Sequence, residues 1–505
     1  MLSFILDGKP STAAEMSEGP ESVRVVVVGS GFAGLAAAST LVKAGFKNVL
    51  VLEAKERIGG RVHTAKPFTE NVLEIGANWI HGQKGNPLFQ IAKAENLLSE
   101  EPSASKKKRG PQSVTTRDYF FREDGKEVST KVVEEVCSHF SKLTDKAFDD
   151  ELERKYRKLS MGGYLDKAFE ESPLAATDDG KKVFEWCKRT ECTDEACSSL
   201  YEVSASQDSN YTEPEGGFYN TLGPGGYRAV LDVLLRNLPA ETIKFNAQVK
   251  TIRWDLIENE DEDYPVQVVC ENGKTFEAEH VIVTVSLGVL KHKATTMFQP
   301  SLPKNKLDAI ENLGFGTVGK LFLYFEKKFW PEDCSGIQMV WNEGPEDEKV
   351  YEAGSQGEAW KKNWFKKITG FNTVARHPTA LLGWITGREA LYMETLPDSE
   401  ITSVCLRLLR SFTGWSVPEV SKTLITRWGT DFHVRGSYSF VPQDVDGVKE
   451  QKALASPLPT KNKDSEDKFQ VLFAGEATHE TFYTTTHGAY LTGVREAQRL
   501  INYYK

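Results

Sequence analysis

Val25-Val26-Val27-Val28-Gly29-Ser30-Gly31-Phe32-Ala33-Gly34, followed downstream by Glu53, is the stretch whose reading decides the fold. Val23 to Val28 is β-branched except for Arg24 and reads as a buried parallel strand. Gly29 permits a tight turn, Gly31 lets the backbone approach a pyrophosphate, and Gly34 lets a helix pack closely on the strand. The helix is expected from about Ala33 to Ala44, ended by Gly45, with a second strand over Val49 to Leu52. Its free N–H groups suit an anion. Glu53 closes that second strand 19 residues after Gly34, where a carboxylate accepts hydrogen bonds from a ribose diol. A lone glycine motif also serves as a packing turn. The strand before it, the helix after it and the acid at this distance favour a dinucleotide.

Just beyond lies Arg57-Ile58-Gly59-Gly60-Arg61. Two glycines bring backbone N–H groups close to a ligand, and Arg61 can fork onto phosphate oxygens. A site for nicotinamide alone does not need this second phosphate loop, so the pair points to FAD.

Further along, residues from about 130 to 200 carry helical periodicity and many charges. Thr242 to Asp255, Val266 to Cys270, Val281 to Val285 and Val471 to Ala474 read as strands, and Gly488 to Tyr503 as a closing helix. Gln451 to Lys468 reads as a surface loop. So does the lysine-rich segment holding Lys106-Lys107-Lys108-Arg109. The chain has 505 residues, too many for one core, with 40% hydrophobic and 27% charged residues. No apolar run is long enough for a membrane span. A net charge of −10 disfavours nucleic acid as a partner. The seven cysteines include no CxxC, so neither a metal site nor a disulfide framework is expected.

Several motifs together resemble the flavin-containing amine oxidases, in their polyamine oxidase branch. They are Glu53 with Arg57-x-Gly59-Gly60-Arg61, then Glu74-Ile75-Gly76-Ala77-Asn78-Trp79-Ile80-His81-Gly82, then Val281 to Lys291. Gly314-Phe315-Gly316-Thr317 leading to Lys320, Phe473 to His479, and Thr485-Thr486-His487-Gly488-Ala489 complete the set. The resemblance implies an α/β fold: a discontinuous Rossmann-like FAD domain from residues 23–100, 241–300 and 441–505, and an α+β substrate domain from 101–240 and 301–440. Residues 1–22 are expected to be a disordered leader.

It also implies roles. Lys320 holds a water at the flavin, and His81 lies beside the substrate amine; these are the catalytic candidates. Gly29, Gly31, Gly34, Glu53, Arg57, Gly60, Arg61, Val249, Trp428, Glu476, Thr485 and Thr486 are expected to hold FAD without a covalent bond. Trp79, Tyr438 and Tyr483 can face an aliphatic cation. Thr485 is a candidate donor to a substrate nitrogen, and Glu202 and Ser204 are candidates for the acid and serine of the vertebrate enzymes.

The activity implied is oxidation of a secondary amine of spermine, N1-acetylspermine or N1-acetylspermidine by O2. The products are a shorter polyamine, an aminoaldehyde and peroxide. Another flavin amine oxidase, acting on monoamines or amino acids, and a redox-silent FAD scaffold are the alternatives. A monomer or weak dimer in the cytoplasm is expected; the chain's last residues are not an SKL-type peroxisomal address.

Overall fold

A computed structural model describes residues 20–99, 116–148, 155–206, 211–256, 264–342, 359–459 and 469–505. The leader up to residue 19, the lysine-rich run Lys106 to Arg109 and residues 460–468 lie outside the described residues. A six-stranded sheet forms the centre of one half. Its strand order is Leu458–Pro459, Phe469–Phe473, His280–Val283, Arg24–Val28, Asn48–Leu52 and Ile243–Lys244. All neighbours are parallel except the first pair.

The opening strand sits mid-sheet, with Val28 registered against both Leu52 and Val283. This position explains its unbroken valines, because both faces are covered. Val25 and Val27 pack under the helix Phe32–Lys43 and the closing helix Thr486–Tyr503. Val26 and Val28 face a layer that includes the strands Val249–Trp254 and Val266–Cys270. The two helices cross so closely that a Cβ on Gly493 would lie 2.0 Å from the Ala33 carbonyl oxygen.

The other half is built on a second six-stranded sheet. Its order is Lys422–Ile425, Val318–Tyr324, His377–Thr386, Gly370–Val374, Cys334–Val340 and Arg117–Arg122. One face packs on the helix Asp398–Thr413. The other carries a cavity partly covered by the helices Thr130–Phe148 and Asp178–Glu195. The run Leu321 to Phe325 reads from the sequence as a half-buried strand, and it falls largely within the strand Val318–Tyr324. That strand is buried over all but its last residue, because it lies inside the sheet with layers on both faces.

Three expectations need correction. Thr242 to Asp255 is not one strand. Asn246 takes a left-handed φ of 54°, and the chain passes there from the parallel sheet to the neighbouring one. The expected loop from Gln451 begins within a helix, Gly447–Ala455, and Gln451 is buried. The helix Gly226–Leu235, assigned to the substrate half by its position in the chain, packs Tyr227, Val230 and Leu231 against Phe32 and Leu35 of the first helix.

Candidate active site

A cavity of about 1240 Å³ runs from the glycine turn of the first sheet to the face of the second. Its nucleotide end is made largely of backbone. Gly29 has φ +103°, and a Cβ there would meet the Thr284 hydroxyl at 2.8 Å. A Cβ on Gly34 would lie 1.9 Å from the Gly29 carbonyl oxygen, so Gly34 acts through helix packing and does not itself line the cavity. Gly31 and Gly60 face each other across the two glycine loops, which the Gly59 N–H fastens by donating to Ser30 O at 2.9 Å. The first helix has no side-chain cap, which leaves its opening N–H groups turned to an anion. Glu53 accepts from the Ser30 amide at 2.9 Å and its hydroxyl at 2.5 Å, and from the Lys55 amide at 2.9 Å. This cradle fits the diphosphate and ribose of FAD.

The flavin-side candidates divide. Arg61 lines the cavity and donates to Glu476 Oε1 and to Ser437 O, both at 2.8 Å. Glu476 is buried, and its other oxygen accepts from the Ser439 hydroxyl at 2.6 Å and the Thr484 amide at 2.9 Å. Val249 and Trp428 line the cavity. Thr486 also does, with its hydroxyl 3.0 Å from the Tyr227 hydroxyl.

Arg57 does not belong with them. Its guanidinium donates to the carbonyls of Ile58, Gly60 and Val62, so it braces its own loop from outside the cavity. Thr485 lines the cavity, but its hydroxyl donates to Phe482 O at 2.7 Å and accepts from the Gly488 amide at 3.0 Å. The hydroxyl oxygen caps the closing helix and the proton goes to Phe482 O, so the proton is not pointed at a substrate nitrogen.

Lys320 stands where the halves meet. Its Nζ donates to Glu74 O at 2.9 Å, Gly76 O at 2.5 Å and Asn78 Oδ1 at 2.6 Å. Burial pulls its pKa down to about 7, with Glu74 opposing. Below that value the three N–H bonds of the ammonium satisfy all three acceptors. Nζ also lies 4.9 Å from the centre of the Trp384 ring.

Aromatic rings gather nearby. Trp79 stacks on Trp384 with centroids 6.1 Å apart and meets Tyr219 edge-on at 5.1 Å. His81 lies 4.4 Å from Phe218 and 5.9 Å from Tyr219, centroid to centroid. The His487 imidazole, down to about 3 chiefly through burial and next through His81, stays neutral. Tyr483 meets Tyr211 edge-on at 5.2 Å. Tyr438 lines the cavity and donates its hydroxyl to Thr193 O.

A sequence profile described as flavin containing amine oxidoreductase matches residues 32–501. The chain belongs to this family. It is 36% identical to the peroxisomal N(1)-acetyl-spermine/spermidine oxidases of Bos taurus and Homo sapiens. The first match covers 95% of this chain and 94% of the relative, the second 97% of each. A redesigned putrescine oxidase shares the fold, with a TM-score of 0.67 at 20% identity over 95% of this chain and 99% of that one.

Two substrate candidates of this amine oxidase are displaced. Glu202 accepts from the Ser198 amide at 2.5 Å and the Ser199 amide at 3.1 Å, closing its own turn, and does not line the cavity. Ser204 is buried against Ser206, with its backbone bridged to Ser160, and also lies off the cavity. The acids that do reach the cavity from this region are Asp194 and Glu195, at the end of the helix Asp178–Glu195. Sequence reasoning passed over Asp194 and Glu195 because they are two among the many charges of a helical stretch, and over Tyr211, Phe218 and Tyr219 because they lie in a segment without a periodic pattern. The signal available was the density of aromatic and acidic residues between 194 and 219.

Proposed function

We propose that this amine oxidase acts on a polyamine, oxidising a secondary amine next to Lys320 and His81. One observation carries the reading. The cavity that begins at the glycine cradle continues between Trp79, Trp384, Tyr219 and Tyr438 to Asp194 and Glu195, so aromatic faces and carboxylates line the path of a flexible cation. The names of the bovine and human relatives support the same class.

FAD, held by the two glycine loops with Glu53, Arg61 and Glu476, would supply the acceptor for a hydride from the carbon beside the amine and the route for its electrons to dioxygen. The chain's residues prepare that step. His81 is placed to hydrogen-bond the reacting nitrogen in its neutral form, because a protonated nitrogen has no lone pair to expel hydride. The remaining nitrogens stay charged against rings and acids, which fixes the register of the chain. Lys320, anchored by three acceptors, provides a fixed positive charge at the junction. Amine, dioxygen and water give a shorter amine, an aldehyde and hydrogen peroxide. We expect spermine to yield spermidine and an aminopropanal.

Peroxide release with spermine, spermidine and their N1-acetyl forms tests this. Activity confined to monoamines or amino acids, or no activity with any amine, would refute it.

We also propose a cytoplasmic monomer. The seven cysteines are thiols, as in a reducing compartment, and among the described residues the exposed large apolar side chains Phe245, Leu391, Phe432 and Tyr503 are few and scattered in sequence. No helix among the described residues is long and apolar enough to cross a membrane. Fractionation and light scattering check both statements. The relatives' peroxisomal names make the peroxisome the competing outcome.

A further inference from the structure

None of the seven cysteines serves the oxidation of the amine, yet four of them lie in pairs. Cys137 Sγ lies 3.6 Å from Cys187 Sγ, across the contact between the helices Thr130–Phe148 and Asp178–Glu195. Helical spacing puts both thiols there. Val133, Val136 and Phe140 bury the stripe that carries Cys137, and Val183 and Phe184 bury the stripe that carries Cys187. The Phe140 and Phe184 rings meet edge-on at 5.4 Å and join the two stripes.

The two thiols differ in access. Cys137 is half-buried and lines the cavity, whereas Cys187 lies behind it in the core. The same cavity holds Lys320 and Trp384 at its reacting end. It therefore joins Cys137 to the place where hydrogen peroxide forms, and a molecule that small and neutral diffuses along it. An accessible thiol beside a second thiol is the arrangement that peroxide oxidises reversibly.

The other cysteines lack one or both features. Cys192 and Cys197 also hydrogen-bond each other, but both are buried off the cavity, and burial pushes the Cys197 thiol up. Cys334 lines the cavity, but burial, its largest influence, pushes its thiol up to about 12, and that thiol donates to Gly336 O at 3.5 Å. Cys270 and Cys405 are buried away from the cavity.

We propose that Cys137 and Cys187 are a modification site for hydrogen peroxide, the enzyme's own product, which converts them into a disulfide between the two helices that cover the cavity. The proposal rests on the oxidase reading above. The Cys137 thiolate attacks one peroxide oxygen, the O–O bond breaks, and the other oxygen leaves as hydroxide, which takes the thiol's proton and becomes water. Cys137 is then a sulfenic acid. Cys187 Sγ attacks that sulfur, the S–O bond breaks, and hydroxide leaves with the Cys187 proton as a second water. Two thiols and one peroxide thus give one disulfide and two waters; the sulfurs lose two electrons and the peroxide gains them. The sulfurs close from 3.6 Å to about 2.05 Å, the length of the new bond. The tether restrains the helix whose last residues, Asp194 and Glu195, line the amine path. Exchange with a small thiol reverses it.

The test uses the FAD-loaded enzyme in three arms: spermine in air, spermine without oxygen, and added peroxide without amine. Thiols are then alkylated and peptides mapped by mass spectrometry. The first and third arms should lose two of the seven thiols and yield one linked pair of peptides, carrying Cys137 and Cys187. The second should keep all seven. Cys137→Ser should turn over at the wild-type rate and form no disulfide. Cys187→Ser should stop at the sulfenic acid of Cys137, which dimedone traps; if that variant does not fold, Cys137→Ser and the wild-type map decide. Seven intact thiols after added peroxide, or a disulfide between any other pair, would overturn the proposal. So would seven intact thiols after a turnover that released peroxide. No peroxide from spermine, with the linked peptides still formed by added peroxide, would instead refute the polyamine reading and leave the site standing.

Discussion

The nucleotide end and the amine end of the cavity are built differently. At the nucleotide end the working atoms belong mainly to the backbone: the turn at Gly29, the facing loops at Gly31 and Gly60, and the uncapped start of the first helix. At the amine end they are side chains from remote segments, with Trp79 and His81 meeting Phe218, Tyr219, Lys320 and Trp384. A backbone site tolerates almost no added atoms, so its glycines are fixed and close together in sequence. A side-chain site needs chemistry at a point, and many segments can supply it.

The comparison can be broken most sharply at Gly34. Gly34→Ala places a methyl group 1.9 Å from the Gly29 carbonyl oxygen. It should cost at least about 1–3 kcal/mol of stability as an overpacked site and abolish flavin retention, read from the absorbance of the purified protein. A fully loaded variant would mean that the cradle is less rigid than described.

Lys320→Met should keep FAD bound and slow turnover by about one to three decades, since it removes a preorganised charge. Stopped-flow measurement of flavin reduction and reoxidation separates the steps, and wild-type rates in both would remove Lys320 from the mechanism. The same variant carries a pH signature. The folded-state pKa, near 7, lies below the ordinary 10.5, so the unfolded chain binds more protons between these values. Wild-type stability therefore rises with pH across that window, and the penalty is fully present below 7. Denaturant titrations should show the Met variant gaining on wild type as pH falls from 10.5 to 7. A constant difference would mean that the three acceptors cancel the effect of burial.

His81→Ala should lower kcat/KM for amines by about tenfold, the loss of one hydrogen bond to a neutral amine, with FAD content unchanged. A loss of flavin instead would move His81 to the nucleotide side of the comparison. The smallest effects belong to Glu202→Gln and Ser204→Ala, whose polar atoms serve their own turns. KM should stay within about twofold of wild type in each, whereas Asp194→Asn should raise it for a polycation. The reverse pattern would restore the assignment made from sequence position.

The legible and illegible parts follow the same division. Strand, glycine turn, helix and Glu53 could be read because each local preference agrees with the fold around it. The difference between Arg57 and Arg61 could not. Both sit in one loop of five residues, yet one guanidinium folds back on carbonyls and the other reaches Glu476, 415 positions away. The closing helix was legible, but not that Thr485 caps it with a hydroxyl engaged on both sides.

By itself, then, the sequence determined the parallel-sheet core, the dinucleotide cradle and the amine oxidase family. These depend on hydrophobic runs and on glycines whose steric need is local. Tertiary structure alone decided which acids and rings line the cavity, and that Glu202 and Ser204 do not. Those positions are set by strand order and helix packing, which bring together residues hundreds of positions apart with no local pattern to announce the meeting.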